Sequence, residues 1–147
     1  MRRSTMCERN ILFLCIDNSC SSQIAEAIAK RLAPPKTQVY SAGIFPSRID
    51  PIIEKIMQEV GVDISNQYAK GIEEIPTNEI DLVVSLGLAK EKCPALPAKA
   101  RLEQWPIPDL QRTRGGEAAM QAALRYVRDE IDKKVAALFL DHWRNVA

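Results

Sequence analysis

A chain of 147 residues, 46% hydrophobic and 27% charged, has the size and make-up of one soluble domain, long enough to bury about two-thirds of the surface its unfolded form exposes. A formal net charge of +1 favours neither a nucleic-acid surface nor an acidic partner. The apolar run over residues 11–16 is too short to span a bilayer and no signal-peptide core or cleavage site follows Met1-Arg2-Arg3, so no membrane contact is expected and the cytoplasm is the expected setting.

Residues 1–9 read as an N-terminal arm and residues 10–147 as a single domain. Residues 10–15 form the first expected strand. A helix follows over residues 21–32, with Ile24, Ile28 and Leu32 four apart and Ala25 and Ala29 beside them, a face suited to packing on a sheet. Pro34-Pro35 stops it. A short second strand occupies residues 38–42 and closes at Gly43. Asp50-Pro51 then supplies an N-cap and a proline at the first helical position, Ile52, Ile53, Ile56, Met57 and Val60 share one face, and Gly61 is the expected stop. Residues 80–86 are mostly apolar, as a strand covered on both faces should be. An irregular stretch over residues 87–97 carries Cys93-Pro94. A fourth, edge strand is expected over residues 101–105, ended by Pro106, and a long helix from Glu117 to about Leu140, with Leu124, Val127, Ile131 and Leu138 inward. Strands alternating with helices imply a parallel α/β sheet with right-handed crossovers, whose ligands bind at the C-terminal strand ends.

One stretch organises the rest. Cys15-Ile16-Asp17-Asn18-Ser19-Cys20-Ser21-Ser22 joins the first strand to the first helix. A loop that opens a helix gathers unpaired backbone N–H groups and the positive end of the helix dipole, which together suit an anion. A cysteine at the strand end facing those groups would favour its thiolate form. Ile16, Asp17, Asn18, Ser19, Cys20 and Ser21 are therefore the expected oxyanion-binding residues. In a reducing compartment the four cysteines are read as thiols or reactive groups, not as a disulfide framework.

The run from Leu12 to Cys15, then Asn18-Ser19-Cys20 and Ser22-Gln23-Ile24-Ala25-Glu26, resembles the phosphate loop of the low-molecular-weight protein tyrosine phosphatase superfamily, closest to its thioredoxin-coupled arsenate reductase branch. The likeness continues through Ser41-Ala42-Gly43, Val60-Gly61-Val62-Asp63-Ile64, Asp81-Leu82-Val83-Val84, Cys93-Pro94, Trp105-Pro106-Ile107-Pro108-Asp109 and Val127-Arg128-Asp129-Glu130-Ile131, in family order. It implies a three-layer, flavodoxin-like α/β fold: a four-stranded parallel sheet flanked by helices.

The resemblance also implies roles. Cys15 stands at the nucleophile of a Cys-x5-Arg loop and would form a covalent intermediate. Asn18 matches the asparagine that braces the loop, Ser22 the hydroxyl bonded to the thiolate, and Asp109 the general acid. Cys93 matches the last cysteine of a reductase relay that ends in a disulfide for thioredoxin. The implied ligands are phosphate, arsenate or a phosphorylated substrate, and the implied partner is thioredoxin or another thiol reductant, with no cofactor. Three positions depart from the pattern. Ser21 stands where the family has the loop arginine, a loss that commonly costs about a hundred-fold to a thousand-fold in rate. Leu110 replaces a proline, and neither Gly87 nor Leu88 supplies the middle relay cysteine.

Plainer readings stand beside these. Cys15 could simply pack at a strand end, and Cys93 could be a remnant thiol. Cys20 is either a small residue filling the first helical turn or, as the resemblance implies, the partner in a reversible disulfide with Cys15. Asp109 could be an ordinary turn aspartate. Arg112 and Arg114 form either a solvated basic loop or a replacement for the missing charge. His142, the single histidine, has no companions to make a metal site, and Cys7 lies in the arm. Three functions follow: a weakened phosphatase or arsenate reductase, a non-catalytic oxyanion- or phospho-ligand-binding module, and a thiol redox sensor.

Overall fold

The computed structural model describes residues 9–88, 90–108 and 114–140. Four parallel strands, β1 (Arg9–Cys15), β2 (Thr37–Gly43), β3 (Leu82–Leu86) and β4 (Arg101–Trp105), lie in the order β2-β1-β3-β4. Helix α1 (Ser21–Leu32) joins β1 to β2, α2 (Pro51–Gln58) lies between β2 and β3, and α3 (Gly116–Leu138) follows β4.

Strand β1 is central, so it has no solvent face, and Ile11, Leu12, Phe13 and Leu14 are all fully buried. Alternation sends them to two cores. Ile11 and Phe13 join Ile24, Ile28, Ile53, Ile56, Leu124 and Ile131, so the apolar faces of all three helices meet in one cluster. Leu12 and Leu14 join Ala42, Ile75, Ile80, Val83 and Leu88 in a second, covered by segments with short 3-10 turns at Ile72–Glu74, Thr77–Glu79 and Lys90–Lys92.

The helix stops follow local chemistry. Asp50 accepts a hydrogen bond from the Ile52 N–H at 3.1 Å and caps α2. Gly61, at φ 74°, closes it in a Schellman turn: Gly61 N–H reaches the Gln58 carbonyl and Val62 N–H the Met57 carbonyl, each at 3.0 Å. Two expected face residues lie outside the core. Leu32 is 40% exposed and Val60 37% exposed, because each sits at its helix's end, past the surface that the neighbouring layer covers.

Helix α3 is tied down by charge as well as packing. Arg128, buried, donates to the Ile56 carbonyl at 2.9 Å and to Glu59 at 2.8 Å, while Arg125 grips both oxygens of Glu59 at 2.7–3.1 Å. Two guanidinium groups hold the Glu59 carboxyl down from 4.5 to about 2. Among the described residues no helix is long and apolar enough to cross a membrane.

Candidate active site

The loop between β1 and α1 is shaped by where its carbonyls go. Those of Cys15, Ile16, Asp17 and Ser19 accept hydrogen bonds from the backbone N–H groups of Ile44, Phe45, Ser47 and Asp50, at 2.8–3.4 Å. The Asn18 carbonyl takes Gln23 Nε2 at 3.0 Å. With the carbonyls drawn to residues 44–50, the opposite side of the loop is the side that carries N–H groups. Helix α1 adds more: its N-cap, Cys20, makes no side-chain capping bond, and no acidic residue stands in the first turn. Gly43, paired with Cys15 at the end of β2, lets the loop lie this close. A Cβ there would meet Asn18 N and the Asp17 carbonyl carbon at 2.7 Å.

Cys15 is buried, with its sulfur 2.8 Å from Ser22 Oγ and 3.1 Å from the Asn18 N–H. Ser22 Oγ accepts from Asn18 Nδ2 at 2.8 Å, and its hydroxyl can either donate to or accept from the Cys15 sulfur. Asn18 holds the left-handed conformation at φ 56°, which asparagine tolerates better than most residues. Its side chain is fully committed. Nδ2 also donates to Ser41 Oγ at 3.0 Å, and Oδ1 accepts from Gln23 Nε2 at 2.8 Å and Lys70 N at 2.9 Å. Behind it, Ser41 Oγ donates to Glu26 at 2.5 Å, and Glu26 is paired with Lys30 and Lys70.

In front lies a cleft of about 350 Å³, lined by every loop residue from Cys15 to Ser21 except Asn18 and, on the facing wall, by Leu86, Gly87, Ile107 and Pro108. Asp17 is the one charged group among the described lining residues. Its Oδ1 accepts from Ser19 N at 3.2 Å and Ser19 Oγ at 2.8 Å. Ser21, at the first position of α1, lines the cleft and brings no charge to it. The Cys20 thiol is pushed up from 9.0 to about 12, first by burial and then by the negative charges of Asp50 and Asp17.

The structure thus gathers Cys15, Ile16, Asp17, Ser19, Cys20 and Ser21 around one cleft, with Asn18 and Ser22 buried behind its wall. It places Cys93 elsewhere. Cys93 packs on the Leu12–Leu14 core, on the face of β1 opposite Ile11 and Phe13, and its thiol is raised by burial, with the Ser85 hydroxyl acting against that shift. Arg114 is exposed and absent from the cleft lining. Asp109, Leu110, Arg112, Cys7 and His142 lie outside the described residues. No group of three or more His, Cys, Asp or Glu among the described residues is placed to hold a metal ion.

Sequence reasoning missed the layer that holds Asn18: Gln23, Glu26, Ser41 and Lys70. The first three lay inside recognised motifs, and their polar character amid apolar neighbours was the available signal. Lys70 carried none, because its approach depends on a loop 52 residues away from Asn18.

Comparison with known proteins finds relatives along nearly the whole chain. The family model described as low molecular weight phosphotyrosine protein phosphatase matches residues 10–146. Arsenate reductase of Bacillus subtilis is 44% identical over 126 residues, covering 85% of this chain and 91% of that protein. A solved arsenate reductase in the phosphate-binding state superposes with a TM-score of 0.71 at 31% identity, covering 90% of this chain and 97% of that one. The thioredoxin-dependent arsenate reductase of Corynebacterium glutamicum gives 0.71 at 26% identity, over 99% of this chain and 64% of that one.

Proposed function

We propose, from the premise that this chain belongs to the low molecular weight phosphotyrosine protein phosphatase family, that it is an arsenate-reductase-like enzyme whose nucleophile is Cys15. The observation that carries this reading is one buried sulfur that accepts from the Asn18 N–H at 3.1 Å and lies 2.8 Å from the Ser22 hydroxyl, beside a cleft opening on the N-terminus of α1. A thiolate formed there during the reaction can accept from both groups.

The chemistry balances in two steps. The Cys15 sulfur attacks arsenic, an S–As bond forms, and one oxygen leaves as water after taking a proton, for which Asp109 is the proposed donor. A second thiol then attacks Cys15 Sγ, a disulfide forms, and the S–As electron pair stays on arsenic, which departs as arsenite. The two sulfurs are oxidised as arsenic is reduced. We assign that second thiol to an external reductant of the thioredoxin or small-thiol class. Cys20 and Cys93 are both raised by burial and so are poor attacking thiols, and Cys93 packs on the other side of the sheet. A cytoplasmic setting, where such reductants are kept reduced, suits this scheme.

Purified protein given arsenate and reduced thioredoxin or glutathione should form arsenite, slowly because Ser21 offers no positive charge. Cys15→Ser should abolish it, and Cys93→Ser should keep more than half. Arsenite formation that survives Cys15→Ser overturns the reading, and its loss in Cys93→Ser restores an internal relay. A second reading, oxyanion binding without turnover, is favoured by the lack of a cation among the described lining residues. It predicts thermal stabilisation by arsenate with no arsenite formed.

A further inference from the structure

Asp17 is the feature of this cleft that the proposed function leaves unused. Its Oδ1 already engages one N–H of the cradle, that of Ser19, and the Ser19 hydroxyl besides. Its Oδ2 has a contact of only 3.5 Å, from Ser47 Oγ, and retains acceptor capacity, and Asp17 lines the cleft. The negative charge is felt inside, since it contributes to holding the neighbouring Cys20 thiol protonated. No positive side chain opposes it among the described lining residues.

Such a cleft treats two kinds of tetrahedral ion differently. An ion with only bare oxygens meets a carboxylate that can offer it nothing but repulsion. An oxyacid that keeps a hydroxyl hydrogen can point its bare oxygens at the loop N–H groups and donate its O–H to the carboxylate, a charge-assisted hydrogen bond. We propose that Asp17 is the specificity-determining residue of the cleft, selecting oxyacids that retain a hydroxyl, hydrogen arsenate and hydrogen phosphate, over sulfate and over phosphomonoester dianions. This rests on the reading of the Cys15 loop as an oxyanion site and narrows it from oxyanions in general to protonated inorganic oxyacids. It also separates reductase from phosphatase chemistry, because an ester dianion has no hydrogen to give Asp17.

The test is calorimetric titration with inorganic phosphate and with sulfate, at neutral pH and fixed ionic strength, on the wild-type chain, Asp17→Ala, Asp17→Asn and Ser21→Arg. Wild type should bind phosphate at least about tenfold more tightly than sulfate, the worth of one hydrogen bond to a charged group. In Asp17→Ala the ratio should fall below about threefold, chiefly because sulfate gains. Asp17→Asn keeps an acceptor for the Ser19 N–H, so it guards against misfolding of the alanine variant, and its ratio should fall as well. A ratio unchanged in both variants, or equal affinities in wild type, overturns the proposal. If Ser21→Arg binds both ions while the Asp17 variants behave as wild type, only the selectivity role fails. If none of the four proteins binds either ion, the oxyanion reading fails with it.

Discussion

The mouth of the cleft and the scaffold behind it treat charge in opposite ways. In the scaffold two carboxylates are each met by two cations: Glu59 by Arg125 and Arg128, Glu26 by Lys30 and Lys70. At the mouth Asp17 has neutral partners only, Ser19 and Ser47, and Ser21 adds no charge. The lesson is that the backbone shape of a loop and its electrostatics are set by different groups. Shape is secured by carbonyls bonded to residues 44–50 and by the Asn18 side chain, neither of which depends on what lines the mouth. Charge at the mouth is set by the side chains that line the cleft, Asp17 and Ser21 among them.

The largest test of that separation is Ser21→Arg. If the backbone cradle is intact, a guanidinium at this cleft-lining position should find it ready. Arsenate reduction should then rise by about a hundred-fold to a thousand-fold, the usual worth of a pre-organised donor aimed at developing charge. Steady-state kinetics decide it. A gain under about threefold would mean that shape and charge were lost together.

Asn18→Ala probes the other side of the contrast. It removes two donors and two acceptor bonds, strands the Lys70 N–H, and asks alanine to hold φ 56°. The expected cost is about 2–3 kcal/mol in urea unfolding, from lost buried hydrogen bonds and left-handed strain. Asp17→Ala, one residue away, should cost less than about 1 kcal/mol, since its two short bonds are local, both to Ser19. Equal costs would erase the distinction between scaffold and mouth.

Much of the scaffold could be read from local patterns. The apolar run of β1, the Asp50-Pro51 start of α2 and the Gly61 stop are signals carried within a few residues, and backbone geometry obeys them. The position of the Cys15 loop was equally readable, because strand, polar loop and helix N-terminus follow one another directly. What escaped was orientation set at a distance. Asp17 counts as one more oxyanion-loop residue until its carbonyl is seen tied to Ser47 and its carboxylate to Ser19. The separation of Cys93 from Cys15 rests on which side of β1 the Cys93 segment packs, a matter of the crossover after β3.

The smallest effect belongs to Glu59, and it isolates scaffold electrostatics from the cleft altogether. Its carboxyl titrates near 2 in the folded chain against an ordinary 4.5, held down first by the hydrogen bond from Arg125 and then by that from Arg128. A depressed folded value means that the carboxylate's stabilisation is fully present above about pH 4.5 and drains away as pH falls through 4.5 toward 2. Glu59→Gln should therefore lower the urea midpoint at pH 7, with the gap to wild type closing across that acid window. The loss should stay modest, because Arg128 keeps the Ile56 carbonyl at 2.9 Å and Asp129 at 2.9 Å, and the Arg125 side of the pair is solvent-screened. Phosphate affinity should not change, since Glu59 is absent from the cleft lining. A fall in affinity alongside the midpoint would show that the α2–α3 clamp reaches the loop through residues 44–50, and that scaffold and mouth are one system.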